Sequence, residues 1–115
     1  MSRDLFGIHA AALELRSQRM GLIASNIANA ATPGYKARDI DFTAALRSAE
    51  RGIGLADAAK SAALYRMPVM PSLDGNTAEL QNEQLAFSEN AVGYSATLQF
   101  IRGRAETLTR ALKGE

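Results

Sequence analysis

The chain has 115 residues, no cysteine, one histidine and a formal net charge of +1 from 13 basic and 12 acidic side chains. That length suits one folding unit with a modest core, and the near-balanced charge leaves no electrostatic footprint for nucleic acid or an anionic membrane. Without thiols there is neither a disulfide framework nor a thiolate metal site, and a lone histidine removes most zinc constellations.

No apolar stretch approaches the ~20 residues that a bilayer span needs. Met1 to Arg19 carries scattered charges and no apolar h-region, so no cleavable secretory signal is expected. On those rules alone the chain reads as cytosolic. The N-terminal stretch reads as a helix, with Ser2 as N-cap and Leu5 opening the apolar pattern. Its line runs Leu5, Ile8, Ala12, Leu15, Arg19, Leu22, Asn26 and Asn29 in steps of three and four. A second stripe, Leu13, Met20, Ile23 and Ile27, makes the face wider than a two-stranded seam requires, so more than one neighbour is expected. Asn26 and Asn29 enter the line only in its last turns. A buried amide must hydrogen-bond across to something, which makes both register-fixing contacts.

The helix is expected to end at Thr32-Pro33-Gly34, because Pro33 pushes Thr32 out of the α region and Pro-Gly suits the centre of a type II turn. The alternation from Arg38 to Phe42 is too short to define a strand. Thr43 to Arg51 suits a short helix stopped by Gly52. Ile53 to Tyr65 is alanine-rich with little to bury, and Arg66 to Pro71 must be extended because of its two prolines. Ser72 to Asn76 reads as a turn, with Asn76 or Thr77 capping a last, long helix and Glu79 placed as in a capping box.

From Leu80 to Leu112 a four-three register holds without a break through Leu80, Gln84, Phe87, Ala91, Tyr94, Leu98, Ile101, Ala105, Leu108 and Leu112. Only Gln84 is polar. Such spacing keeps one apolar seam facing a partner along a left-handed supercoil. A helix from Thr77 to Lys113 would be on the order of 55 Å long, too long for a compact domain of this size to cover. Acidic residues in its first half and basic ones in its second complement the macrodipole. The expected fold is all-α. An N-terminal helix (1–31) and a long C-terminal helix (77–113) pack as an antiparallel coiled coil around an irregular, partly disordered middle segment (32–76).

No constellation of reactive groups is present in the sequence, so no catalytic residue, cofactor or metal site is expected. His9 is alone. Asp39 and Asp41 are a paired-acid lookalike that suits a solvated loop or a cap better than a metal. Gly52-Ile53-Gly54 lacks the strand and third glycine of a dinucleotide loop. The basic residues near the C-terminus lack interleaved aromatics, and Met67 and Met70 read as ordinary loop residues.

The stretch Ser25, Asn26, Asn29, then Thr32-Pro33-Gly34-Tyr35-Lys36, then Phe42, resembles the N-terminal motif of the bacterial flagellar axial proteins, the rod, hook and hook-associated subunits. Tyr65 to Thr77 followed by the long helix is similar to a rod subunit, and the chain is too short for the β-rich inserts of other axial proteins. The resemblance covers about 5–42 and 65–113. It implies a structural subunit of the proximal rod, packed by its helices into the torque-transmitting drive shaft needed for motility. It further implies export through the flagellar type III apparatus without a cleaved signal, and assembly in the periplasm. The implied neighbours are other copies, the next rod subunit (commonly called FlgC) and the rod–ring adaptor protein. Neither nucleic acid, small-molecule substrate nor membrane insertion is implied. The motif residues would form the assembly surface, and the seam would be Leu5, Ile8, Leu15 and Leu22 with Leu80, Phe87, Tyr94, Leu98, Ile101, Leu108 and Leu112. The alternative from another class is a soluble cytosolic coiled-coil adaptor or export chaperone, for which the Thr-Pro-Gly-Tyr-Lys turn gives no reason.

Overall fold

The structure, a computed structural model, describes residues 2–52, 54–65 and 75–114, with backbone alone for 2–6, 55, 56, 61 and 65. The expectations for Arg66 to Pro71, for most of the turn at 72–76, and for the Ser2 and Leu5 side chains lie outside it. Helix α1 spans Ser2–Ala28 and is followed by strand β1 (Arg38–Ile40), helix α2 (Phe42–Glu50), helix α3 (Leu55–Ser61), strand β2 (Ala63–Tyr65) and helix α4 (Leu80–Lys113). Helices α1 and α4 lie antiparallel and make a body 64 × 26 × 18 Å in extent.

The pairing register is legible from three contacts. His9 stacks on Phe100, Arg16 lies against Gly93, and Asn26 bonds to Glu83. The residue numbers of each pair add to the same value, so the register does not slip along the interface. By that register the first residue of α1 falls opposite Thr107, and the last turns of α4 run on past the end of α1. Leu108 and Leu112 are consequently exposed, Leu112 to 82%.

Residues 38–65 hold more regular structure than their sparse apolar content suggests. β1 and β2 pair antiparallel in the register Arg38 with Tyr65, Asp39 with Leu64 and Ile40 with Ala63. The Asp41 amide extends the ladder by donating to the Ala62 carbonyl at 3.0 Å. Asp41 is also the N-cap of α2, its carboxylate accepting from the Ala44 amide at 3.1 Å. Of the two acids, Asp41 therefore takes the cap role expected, while Asp39 pairs with an arginine. Helix α2 stops at Gly52, whose φ of +89° a side chain would oppose.

The apolar core lies between α1 and this middle unit. Leu15, Ile40, Ala45, Ala59 and Ala62 are buried together, with Leu22, Phe42, Ala44 and Leu46 packed against them. Alanine is what lets α2 and α3 approach α1 closely. Leu15 and Leu22, read in sequence as seam residues, thus face the middle unit.

Helix α4 begins at Leu80, three residues later than the capping signals imply, with Glu79 at the N-cap position and no side-chain cap bond. Its 34 residues correspond to about 51 Å. It ends at Gly114 in the left-handed conformation (φ +74°), a position where glycine avoids a Cβ clash.

Candidate assembly surface

The turn at the end of α1 has the geometry its sequence dictates. The Tyr35 amide donates to the Thr32 carbonyl at 3.2 Å, closing a β-turn centred on Pro33-Gly34, and Gly34 has φ +74°. That positive φ at the third position is the type II signature. Thr32, Pro33, Gly34 and Lys36 are exposed, so the apex is available to another molecule.

Below the apex lies a buried polar network centred on Asn26, which is 0% exposed. Its Nδ2 donates to the Arg38 carbonyl (2.8 Å) and to Glu83 Oε1 (2.9 Å). Its Oδ1 accepts from the Arg38 amide (3.1 Å) and the Tyr35 hydroxyl (3.1 Å). Two donors and two acceptors are the full capacity of an amide, and all four are used. The side chain thus occupies the outer edge of β1 as a neighbouring strand would, and reaches across to α4 on its other side. Ser25 Oγ lies 3.1 Å from the Tyr35 hydroxyl.

Asn29 behaves differently from expectation. Its Nδ2 donates to the Ser25 carbonyl (2.9 Å) and its Oδ1 accepts from the Thr32 hydroxyl (3.1 Å), so its amide stiffens its own turn and does not cross to another helix. The cause is the end of α1 at Ala28. Past that point the chain curls, and the Asn29 side chain reaches the carbonyl one turn back. Asn76 departs too. It accepts from the Ala78 amide (2.7 Å), and its own amide points at the α1 exit turn, so it caps no helical turn of α4.

Farther along, Arg19 forms a two-pronged pair with Asp39, Nε to Oδ1 at 2.7 Å and Nη2 to Oδ2 at 3.1 Å. The Asp39 hydrogen bond raises the Arg19 pKa against the opposing effect of burial, with the charges of Asp39, Glu89 and Glu83 adding to the rise. Burial, and after it the charge of Arg19, lowers that of Arg16. Both guanidinium groups stay charged in the physiological range. Arg16 sits over the Phe42 ring, 4.2 Å from its centroid. On its other side is Gly93, where an added Cβ would stand 2.5 Å from Arg16 Nη1. Asn90, fully buried, donates to the Arg16 carbonyl at 2.8 Å.

Glu83 and Asn90 are the buried residues of α4. Each stands one residue before a position of the apolar line, about 100° round the helix. The apolar line itself is only partly covered: Phe87, Tyr94, Leu98 and Ile101 are half-buried, as is Ile8 on α1, while Leu80, Leu108 and Leu112 are exposed. Arg16, Arg19, Asn76, Thr77, Glu83, Asn90 and Gly93 were thus not among the site residues that sequence reasoning singles out. Their signal is weak. Glu83 and Asn90 are polar residues seven apart in a helix, a heptad spacing that hydrophobicity ignores. Among the described residues no group of three or more acidic, histidine or cysteine side chains could hold a metal ion, and none of the described helices is long and apolar enough to cross a membrane.

A small helical body with a motif turn at one end and a partly open apolar line along its long helix has the features of an assembly subunit. The family model described as flagella basal body rod protein matches residues 6–36. Over nearly its whole length the chain is similar to flagellar basal body rod proteins FlgB. It is 49% identical to that of Cereibacter sphaeroides, over 98% of this chain and 97% of the relative. It is 45% identical to that of Aeromonas hydrophila, over 96% and 93%. It is 39% identical to that of Salmonella typhimurium, over 90% and 88%. The chain belongs to the FlgB family of flagellar basal body rod proteins, which are structural subunits and not enzymes.

Proposed function

We propose that this chain is a subunit of the proximal rod that helps transmit torque and is needed for motility, with two surfaces carrying its assembly. Its place is the flagellar basal body rod, and its partners are other rod subunits. One surface is the motif Ser25, Asn26, Asn29, Thr32 to Lys36 and Phe42, in which the buried Asn26 amide and the half-buried Asn29 amide hold an exposed turn. The other is the line Phe87, Tyr94, Leu98, Ile101, Leu108 and Leu112 on α4, with Leu80 at its start and Leu5 and Ile8 serving α1, while Leu15 and Leu22 hold the middle unit. The neighbours proposed are further copies, FlgC-type subunits and the rod–ring adaptor. The route is export by the flagellar type III apparatus without a cleaved signal into the periplasm. The adaptor or export-chaperone alternative gains nothing from relatives of this kind.

The observation that supports the reading most is the apolar line of α4, half-buried or exposed along its length and continuing beyond the end of α1. Apolar knobs at each turn resist sliding between packed helices, as a torque-bearing shaft requires. Replacing Tyr94 or Ile101 by aspartate is expected to abolish swimming while the subunit is still synthesised, read by motility halos and immunoblots. Normal swimming in both variants would remove the basis of the reading.

A further inference from the structure

Asn76 stands where the exit of α1 meets the entry to α4, and it does more than lead into α4. It is 5% exposed, and its Nδ2 lies 2.9 Å from the Asn29 carbonyl, 3.1 Å from that of Ala30 and 2.6 Å from that of Thr32. Two amide hydrogens serve three acceptors, so one is shared. The Ala78 amide holds Oδ1 from the other side at 2.7 Å, which fixes the orientation, since a flipped amide would set its oxygen against three carbonyls. Thr77 continues the contact. Its amide donates to the Tyr35 carbonyl at 2.8 Å, and its Oγ1 accepts from the buried Ala37 amide at 2.7 Å. The Lys36 ammonium donates to the Gly75 carbonyl.

Two residues far along the sequence therefore make five hydrogen bonds to residues 29–37. The turn's own bonds are local: Tyr35 amide to Thr32 carbonyl, Thr32 amide to Asn29 carbonyl, and the Asn29 side chain to Ser25. The Tyr35 hydroxyl and the Arg38 backbone tie the exit of the turn to Asn26 on α1. The bonds from Asn76 and Thr77 add a second anchor, from the segment that enters α4.

We infer that Asn76 and Thr77 are positioning residues of the assembly surface, a clasp that sets the Thr32–Lys36 turn in its working pose only when the segment leading into α4 is seated. The inference rests on the reading of that turn as an assembly surface. Asn76→Asp keeps the shape but replaces the donor with a carboxylate oxygen facing three carbonyls. Thr77→Val keeps the shape and leaves the buried Ala37 amide without its acceptor, whereas Thr77→Ser retains the acceptor. Gly34→Val places a β-branched residue at φ +74° and distorts the turn from its apex, where an added Cβ meets no other group, while leaving the Asn76 and Thr77 side chains in place.

The experiment scores swimming for these four variants, each in the full chain. On the purified chains it measures far-UV circular dichroism and amide hydrogen exchange at Ala37 and Thr77. Asn76→Asp and Thr77→Val are expected to keep the helical signal, lose at least about tenfold in protection at those two amides and stop swimming, with Thr77→Ser retaining both properties. Unchanged protection, or normal swimming despite lost protection, overturns the inference, as does an unsubstituted chain with no protection at these amides. Should Asn76→Asp lose its helical signal, Thr77→Val decides. If Gly34→Val alone stops swimming, the turn stands as an assembly surface and the clasp is wrong. If Gly34→Val swims normally, the turn reading fails, and with it the clasp.

Discussion

The two ends of this molecule are held by different physics. Where α1 gives way to the Pro33-Gly34 turn, polar groups are buried and matched: Asn26 fills all four of its hydrogen-bonding positions, and Asn76 gathers three carbonyls. At the opposite end, past Thr107, α4 continues beyond α1 with Leu108 and Leu112 turned to solvent. Directional bonds fix one geometry and tolerate little change, because an unmatched buried group costs its full desolvation. An apolar stripe fixes no unique geometry until something covers it. The first end therefore has its hydrogen bonds closed within the subunit, and the second leaves apolar side chains open.

Substitutions at the matched end should cost stability in the isolated chain. The largest loss is expected for Asn26→Ala, which strips Glu83, Tyr35 and the Arg38 backbone of a shared partner. About 2–3 kcal/mol should be lost in urea denaturation, and a loss below about 1 kcal/mol would show that the network is not what closes this end. Next comes Gly93→Ala, midway along the pair. The new methyl would push the Arg16 guanidinium off Phe42, for about 1–2 kcal/mol by the same assay. Gly34→Ala, at φ +74° with open space around it, carries only backbone strain and should cost about 1 kcal/mol. The smallest effect on the free chain belongs to Leu112→Ser, within about 0.5 kcal/mol. Swimming should nonetheless suffer from it. A Leu112 variant that is neutral in both assays would erase the contrast between the ends.

The long helices, the Pro-Gly turn and the stop at Gly52 were legible in the sequence because each is dictated locally. Period, proline and glycine act within one turn of themselves. The interface between α1 and α4 was not legible in the same way. Its line passes through Glu83, Asn90 and Gly93, residues that look like solvent positions until Asn26, the Arg16 carbonyl and the Arg16 side chain are brought opposite them. Hydrophobicity drew the neighbouring line instead, which is the line left partly open. Asn76 misled for a related reason. An asparagine ahead of a helix is a good cap, and only the fold reveals that three carbonyls from 44 to 47 residues earlier compete for it.

The stagger of α1 against α4 has a geometric consequence. A body whose two ends differ this much has polarity, like an arrow. Two such bodies related by a twofold axis would present like to like and leave one kind of end uncovered. A contact joining the open end of one copy to the flank of the next would be heterologous, closing into a ring or running on as an open helical array according to its rotation. The stagger of the two helices thus gives the subunit unlike ends, so that like-to-like and end-to-flank contacts would use different surfaces.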